Sequence, residues 1–271
     1  MAHAPNRKRG RPRSAEADTA APIQALDRGL MVLAALAREE TATLTELSLS
    51  VGLPPSTAHR ILITLQRHGY VELDEATQTW MIGVESFRIG SSFLLRTNVV
   101  EAARNAMRHL MEATGETANL AIGDSGDVVF VSQVETHNPI RAFFRPGTRG
   151  PMHSSGIGKA LLAEMPRAEV EKIFQRKGLP EFTAKTITAP GALFANLEET
   201  HARGWALDDE ERYLGMRCVA APIFNAHGEA IAGISVSGPT VRFPDRVVAE
   251  FGPRVRQAAA EVTRLIGGVG A

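Results

Sequence analysis

The chain of 271 residues holds one cysteine, two tryptophans and two tyrosines. A single cysteine forms no internal disulfide, which excludes a disulfide scaffold and suits a reducing cytoplasm. No apolar run approaches the roughly 18 residues that span a bilayer. The charged N-terminus also lacks the apolar stretch of a secretory signal. Net charge is missing too, since 30 Lys+Arg balance 30 Asp+Glu. The eight histidines are scattered and no His/Cys pair has metal-ligand spacing, so no metal and no cofactor are expected. What is present is ordinary: 44% hydrophobic and 22% charged residues allow a buried core. The length suits two domains of about 100–200 residues each.

Zero net charge conceals a segregated distribution. Residues 1–14 carry Arg7, Lys8, Arg9, Arg11 and Arg13 and no acid, a charge of +5 that leaves −5 for the remainder. Neither this segment nor the Ala/Glu/Asp/Thr stretch after it has apolar periodicity, so residues 1–21 are expected to form a disordered basic arm. Its Arg9-Gly10-Arg11-Pro12-Arg13 core resembles an AT-hook, a strip that enters a narrow minor groove and displaces counterions. A solvated tail is the alternative.

Apolar residues at Ile23, Leu26, Leu30, Leu33 and Leu36 predict an amphipathic helix with that stripe inward. Thr43 and Glu46 form a capping box for a second helix, which stops at Val51-Gly52. Pro54-Pro55-Ser56-Thr57 opens a third helix running to His68-Gly69. At 100° per residue, Ala58, Ile61, Leu62 and Leu65 face inward while Ser56, Arg60, Thr64 and Arg67 face outward. Ile63, nearer the polar side, suits contact with a thymine methyl, but packing against the first helix is the favoured expectation. Two helices joined by a glycine turn, the second presenting hydroxyls and arginines, describe a helix-turn-helix. Tyr70–Leu73 and Thr79–Ile82 around a polar turn add a two-stranded wing. Residues 22–83 are therefore a candidate DNA-binding domain, with Ser56, Thr57, Arg60, Thr64 and Arg67 as contacts alongside the arm. Four arginines against seven acids give this segment −3, which favours the alternative of a three-helix core that touches no DNA. Hydroxyls and helix N-termini nevertheless supply phosphate contacts without a basic patch.

The run Gly52-Leu53-Pro54-Pro55-Ser56-Thr57-Ala58-His59-Arg60-Ile61-Leu62, followed by Gly69-Tyr70-Val71, resembles the winged helix of the IclR family of bacterial transcriptional regulators. Residues 84–98 place Val84, Phe87, Ile89, Phe93, Leu94 and Leu95 on several helical sides, a pattern expected of burial between partners. The resemblance makes this segment a linker helix that joins the domains and helps dimerise the DNA-binding halves. From residue 99 to 271, a helix over Val100–Ala113 precedes two hairpins: Asn119–Gly123 with Val128–Val134, and Val219–Phe224 with Ala230–Val236. Further helices are expected at Gly158–Met165, Arg167–Lys177, Asn196–Arg203 and Asp245–Ile266, the last kinked or restarted at Pro253. The fold class is α+β, and the resemblance implies a GAF/PAS-like effector-binding domain.

Chemistry-bearing residues in this second half need sorting. His153-Ser154-Ser155-Gly156-Ile157-Gly158-Lys159-Ala160 fails as a P-loop, because His153 and Ala160 stand where glycine and Ser/Thr are required. A glycine-rich turn opening a helix survives, suited either to a small anion or to close packing. Asp208-Asp209-Glu210-Glu211 has no accompanying metal-ligand spacing. Cys218 with His153 would make a nucleophile and base, although a lone cysteine is more often a small buried apolar residue. Ser235 and Ser237 share one strand face. These segments resemble the effector pocket of glyoxylate- and pyruvate-responsive members of the family. The resemblance implies that Gly156 and Ile157 give backbone N–H groups to a ligand carboxylate. Asp208, Cys218, Ser235 and Ser237 would surround its oxo or hydrated end, and Met216 would supply an apolar wall. Ile157 is bulkier than the alanine expected there, and Asp208 beside an anion must be protonated or accept from a ligand hydroxyl.

The expectation is a cytoplasmic regulator, not an enzyme, acting as a homodimer or dimer of dimers. It would bind double-stranded DNA at a pseudo-palindromic operator under the control of a small 2-oxo acid, glyoxylate before pyruvate, with either sign of regulation open. The alternative is an enzyme acting on a small oxo acid or acyl group through Cys218 or Asp208.

Overall fold

The computed structural model describes residues 22–95 and 99–270, so the arginines expected in the arm, Arg7 to Arg13, lie outside the described residues. Two compact units divide between Phe93 and Leu94, inside the segment expected as a linker.

The first unit is built on three helices: α1 (Gln24–Glu39), α2 (Leu44–Val51) and α3 (Pro55–Arg67). The capping box starts α2 as expected: Glu46 N–H donates to Thr43 Oγ1 and Thr43 N–H to Glu46 Oε2. Gly52 ends it in the left-handed conformation, φ 66°, with its N–H and that of Leu53 closing on Leu49 and Ser48 carbonyls. Val32, Ala35 and Leu36 of α1, Leu47 of α2 and Leu62 of α3 form the core with Val71 and Trp80. The inward stripe expected on α1 is only partly right. Leu36 is buried, but Ile23, Leu26 and Leu30 are 72%, 59% and 57% exposed. The reason is reach: a 16-residue helix is about 24 Å long, and only its last two turns meet α2 and α3. Ile63, expected to pack on α1, is exposed as well.

The wing is β2 (Val71–Asp74) with β3 (Thr79–Ile82), and a three-residue β1 (Thr41–Thr43) joins it in the order β1-β3-β2. The sequence shows only two of those strands. Helix α4 (Val84–Leu95) follows, its start tied back by Ser86 Oγ donating to the Tyr70 carbonyl. Val84, Phe87 and Ile89 on it are exposed.

The second unit is a six-stranded antiparallel sheet in the order β6-β5-β4-β9-β8-β7. Its strands are β4 (Thr117–Asp124), β5 (Asp127–Val134), β6 (Arg149–Pro151), β7 (Ala206–Asp209), β8 (Met216–Phe224) and β9 (Ala230–Pro239). Helices α5 (Val99–Thr114) and α9 (Asp245–Leu265) cover one face, packing on Leu120, Ala221, Ile234 and Val236. Pro253 lies inside a continuous α9. The other face carries α6 (Gly156–Leu162), α7 (Arg167–Lys177) and α8 (Pro190–Arg203) over Ala121, Val128 and Ala220. Helix α6 starts two residues earlier than expected and α8 six residues earlier, at Pro190 in the first helical position. Period-two alternation along β8 and β9 therefore sends alternate side chains to two separate cores.

Candidate functional site

On α3, Ser56, His59, Arg60, Ile63 and Arg67 recur at helical spacing and are all exposed, forming one solvent-facing stripe. Thr64 is exposed beside them; its Oγ1 donates to the Arg60 carbonyl at 2.8 Å and keeps its lone pairs for a donor. Thr57 is half-buried at the first turn. The helix has two arginines and no acid, so the negative excess of this unit sits on other elements. Among the described residues no carboxylate engages Arg60 or Arg67. Sequence reasoning passes over His59, although its spacing of three from Ser56 places it on the same face.

In the second unit, cross-strand register gathers the polar candidates. Ser237 of β9 lies opposite Cys218 of β8, which lies opposite Asp208 of β7; Ser235 and Ala220 form the adjacent row with Asn119 of β4. The start of α6 rests on this floor. A Cβ at Gly156 would fall 2.8 Å from Cys218 Sγ, so only glycine permits the approach. One at Gly158 would meet the Met152 carbonyl at 2.2 Å, which makes that glycine a matter of close packing. Ile157 is buried over Gly233, whose missing side chain accommodates the larger residue.

A cavity of about 50 Å³ lies between sheet and helix. Of the residues expected to hold a ligand, Gly156, Ile157, Asp208, Cys218, Ser235 and Ser237 line it, whereas Met216 does not. Met216 shares the strand parity of Cys218 but sits at the end of β8, opposite Pro239. Sequence reasoning misses Ser154, Arg212 and the aromatic walls: Phe130 stacked on Phe144 at 4.4 Å, with Tyr213 nearby. Alternation along β5 points to Phe130; Ser154 ends a single 3-10 turn (Met152–Ser154), and Arg212, Phe144 and Tyr213 stand in loops without periodicity.

The polar lining is incompletely satisfied. Asn119 Nδ2 donates to Ser237 Oγ at 3.3 Å, and Gln133 Nε2 steadies Asn119 at 2.9 Å. Among the described residues Ser154 Oγ and Arg212 Nη1 are buried with no hydrogen-bond partner, and Ser235 Oγ has only the Cys218 thiol beside it. Asp208 lines the same cavity. Burial, reinforced by the Glu211 charge, pushes its carboxyl up to about 7, against the pull of Lys159 and the Glu211 and Arg212 N–H groups. Glu211 N–H donates to Asp208 Oδ1 at 2.8 Å, and the Glu211 side chain pairs with the fully buried Lys159 of α6. Burial, with the Asp208 charge behind it, raises the Cys218 thiol to about 11, so it stays a neutral S–H.

Cys218 and His153 do not form a nucleophile–base pair. His153 borders a different cavity, donates Nε2–H to the Pro180 carbonyl at 3.0 Å, and is held neutral by burial. Among the described residues no three His, Cys, Asp or Glu side chains cluster as a metal site, and no helix is long and apolar enough to cross a membrane.

The IclR helix-turn-helix domain matches residues 25–75, and the C-terminal domain of bacterial transcriptional regulator IclR matches residues 91–264. The chain is 49% identical to the HTH-type transcriptional regulator BhcR of Paracoccus denitrificans, covering 95% of this chain and 94% of that one. It is 42% identical to the transcriptional repressor IclR of Escherichia coli K12, covering 97% of each. Among solved structures, the Thermotoga maritima IclR superposes with a TM-score of 0.77 at 28% identity, over 91% of this chain and all of that one. Proteins of this kind bind DNA, take small-molecule effectors and oligomerise. A helix-turn-helix, a small cavity with polar side chains in a separate unit and relatives along the whole length converge: the chain belongs to the IclR family, and it is a DNA-binding transcriptional regulator rather than an enzyme.

Proposed function

We propose that the cavity binds a small 2-oxo acid, glyoxylate first and pyruvate second, and that occupancy adjusts the grip of α3 on DNA. The observation that carries this reading is the set of buried polar atoms around so small a space. Ser154 Oγ and Arg212 Nη1 lack partners among the described residues, Ser235 Oγ has only the Cys218 thiol, and burial pushes the Asp208 carboxyl up to about 7. A buried polar group without a partner costs about 1–3 kcal/mol, which a ligand able to bond all of them recovers. Size points the same way. A volume of about 50 Å³ corresponds to roughly three to five waters at 10–15 Å³ each. Glyoxylate, with two carbons and three oxygens, suits that space, whereas an aromatic acid requires the Phe144 wall to move. Gly156 and Ile157, in the first turn of α6, offer N–H groups without intrahelical acceptors to the same ligand.

On DNA, Ser56, Thr57, Arg60, Thr64 and Arg67 supply the contacts, with the basic arm adding affinity in the minor groove. The exposed apolar residues of α1 (Ile23, Leu26, Leu30) and α4 (Val84, Phe87, Ile89) support a homodimer or dimer of dimers. Two-fold symmetry then calls for a pseudo-palindromic operator in the cytoplasmic chromosome. A gel shift of the chain's own upstream DNA, titrated with glyoxylate, pyruvate and benzoate, tests both halves. Glyoxylate should change the shift at the lowest concentration and benzoate should leave it unchanged. A response to benzoate alone would overturn the effector class.

A further inference from the structure

Resting on the reading of the cavity as a small-acid site, we propose that Arg212 supplies the counter-charge for the ligand's carboxylate and sets the preference for anions. A monoanion entering a cavity beside Asp208 needs a positive charge close by, and the surroundings offer three cations. Arg149 is already paired with Asp124 at 2.6 Å and with Asp127 at 3.4 Å. Lys159 is committed to Glu211. Arg212 lines both this cavity and the neighbouring one, and alone among the three cations it has no carboxylate partner in the described residues: its guanidinium lies 3.8 Å over the ring of Phe182, which borders the second cavity, and 5.5 Å from the ring of Tyr213, which borders the first. Ring stacking engages the face of a guanidinium and leaves its edge N–H groups free, and one of these, at Nη1, is buried without an acceptor.

The segment around Arg212 is held so that its side chain can act as a fixed claw. Thr183 Oγ1 donates to the Glu210 carbonyl at 2.7 Å and Thr186 Oγ1 to the Glu211 carbonyl at 2.6 Å. Gly215 N–H closes the loop on Glu210 Oε2 at 2.7 Å. Glu211 is anchored from below by Lys159, and the Glu211 and Arg212 N–H groups both hold Asp208. Backbone on each side of Arg212 is thus pinned while its charge is left unmatched. With Asp208 protonated, the cavity wall carries one uncompensated positive charge, which selects a monoanion over a neutral aldehyde or ester. Planar bidentate geometry fits a carboxylate.

Titration calorimetry on the full chain tests this with glyoxylate, pyruvate, acetate and methyl glyoxylate, comparing wild type, Arg212→Gln and Arg212→Lys. The wild type should favour the acids over the ester. Arg212→Gln should weaken the acids by roughly ten- to hundred-fold and leave the ester unchanged, and Arg212→Lys should restore part of the loss. Far-ultraviolet dichroism identifies a variant that has merely failed to fold, in which case Arg212→Lys alone decides between charge and packing. Acid binding by Arg212→Gln at wild-type strength, or an equal loss for acid and ester, overturns the proposal. If acetate depends on Arg212 and glyoxylate binds no better than acetate, the arginine stands and the 2-oxo preference falls. A wild type that binds none of the acids overturns both.

Discussion

With the cavity as the proposed effector site, Asp208 should make effector binding proton-linked, and the size of the effect follows from its position. Burial, and then the Glu211 charge, push its carboxyl up to about 7. Only the neutral acid can donate a hydrogen bond to a ligand oxygen; the ionised form repels an anion. About nine-tenths of Asp208 is protonated at pH 6 and about one-tenth at pH 8, so affinity should fall close to ten-fold between them, or about 1.4 kcal/mol. Calorimetry at pH 7 in two buffers of different ionisation enthalpy should show uptake of about half a proton per glyoxylate bound. Asp208→Asn always donates and cannot ionise, so it should keep its pH 6 affinity at pH 8 with no proton uptake. A wild-type affinity that is equal at pH 6 and pH 8 would refute the reasoning. Stability carries the same signature. The folded pKa lies above the unfolded value of 3.8, so this stabilising contribution is complete below pH 4 and is lost as pH rises through 7. At about 1.36 kcal/mol per unit, the rise from 3.8 to about 7 makes the full penalty at pH 8 roughly 4 kcal/mol. Asp208→Asn should therefore raise the ligand-free melting temperature at pH 8 and leave it unchanged at pH 4.

Arg60→Ala should cost about 1–3 kcal/mol of operator affinity by fluorescence anisotropy, because Arg60 projects from the exposed stripe of α3; unchanged binding removes it from the interface. Deleting residues 1–14 removes five positive charges and should flatten the salt dependence of operator binding. An identical slope would leave the arm as a solvated tail. Gly233→Ala places a Cβ 2.7 Å from Ile157 Cγ2 and should destabilise the protein by about 1–3 kcal/mol. Ile157→Ala in the same chain should return part of that loss, and additive penalties would show that the two residues do not press on each other.

Local signals were legible and coverage was not. The Thr43–Glu46 box, the Gly52 stop and the proline start of α3 each depend on chemistry within a few residues, and each is present. Ser235 and Ser237 were paired by alternation alone, and the register confirms a shared face. Amphipathy on α1 is visible in the sequence, but which of its turns are covered depends on the length of the helices it meets, and Ile23, Leu26 and Leu30 stay exposed. Strand β1 is three residues long and exists only through pairing with β3, a contact about forty residues distant that no local pattern announces. Met216 had the correct parity and the wrong depth. Arg212 and Tyr213 sit in an irregular loop, where neither a period of two nor one of 3.6 applies. Only the fold reveals that Arg212 is left unpaired.

A ligand of five non-hydrogen atoms leaves little room for indifferent contacts. The best tiny ligands gain at most about 1.5 kcal/mol per atom, so glyoxylate can reach roughly 7 kcal/mol, a dissociation constant in the low micromolar range. Approaching that limit requires the site to be built before the ligand arrives, since any reorganisation is subtracted from so small a total. The cavity meets this condition through its framework. Asn119 and Gln133 fix Ser237, the Lys159–Glu211 pair fixes the loop beside Asp208, and Gly156 lets α6 settle directly on Cys218. The unsatisfied atoms at Ser154 and Arg212, and Ser235 with only the Cys218 thiol, are then the part of the structure that stays costly until a ligand bonds them. Differential stabilisation of the occupied arrangement is the free energy available for shifting the DNA-binding units, because a ligand that binds two arrangements equally shifts neither. A glyoxylate dissociation constant well below about 1 µM would exceed what contacts within this cavity can supply, and would place additional binding groups on segments that close over it.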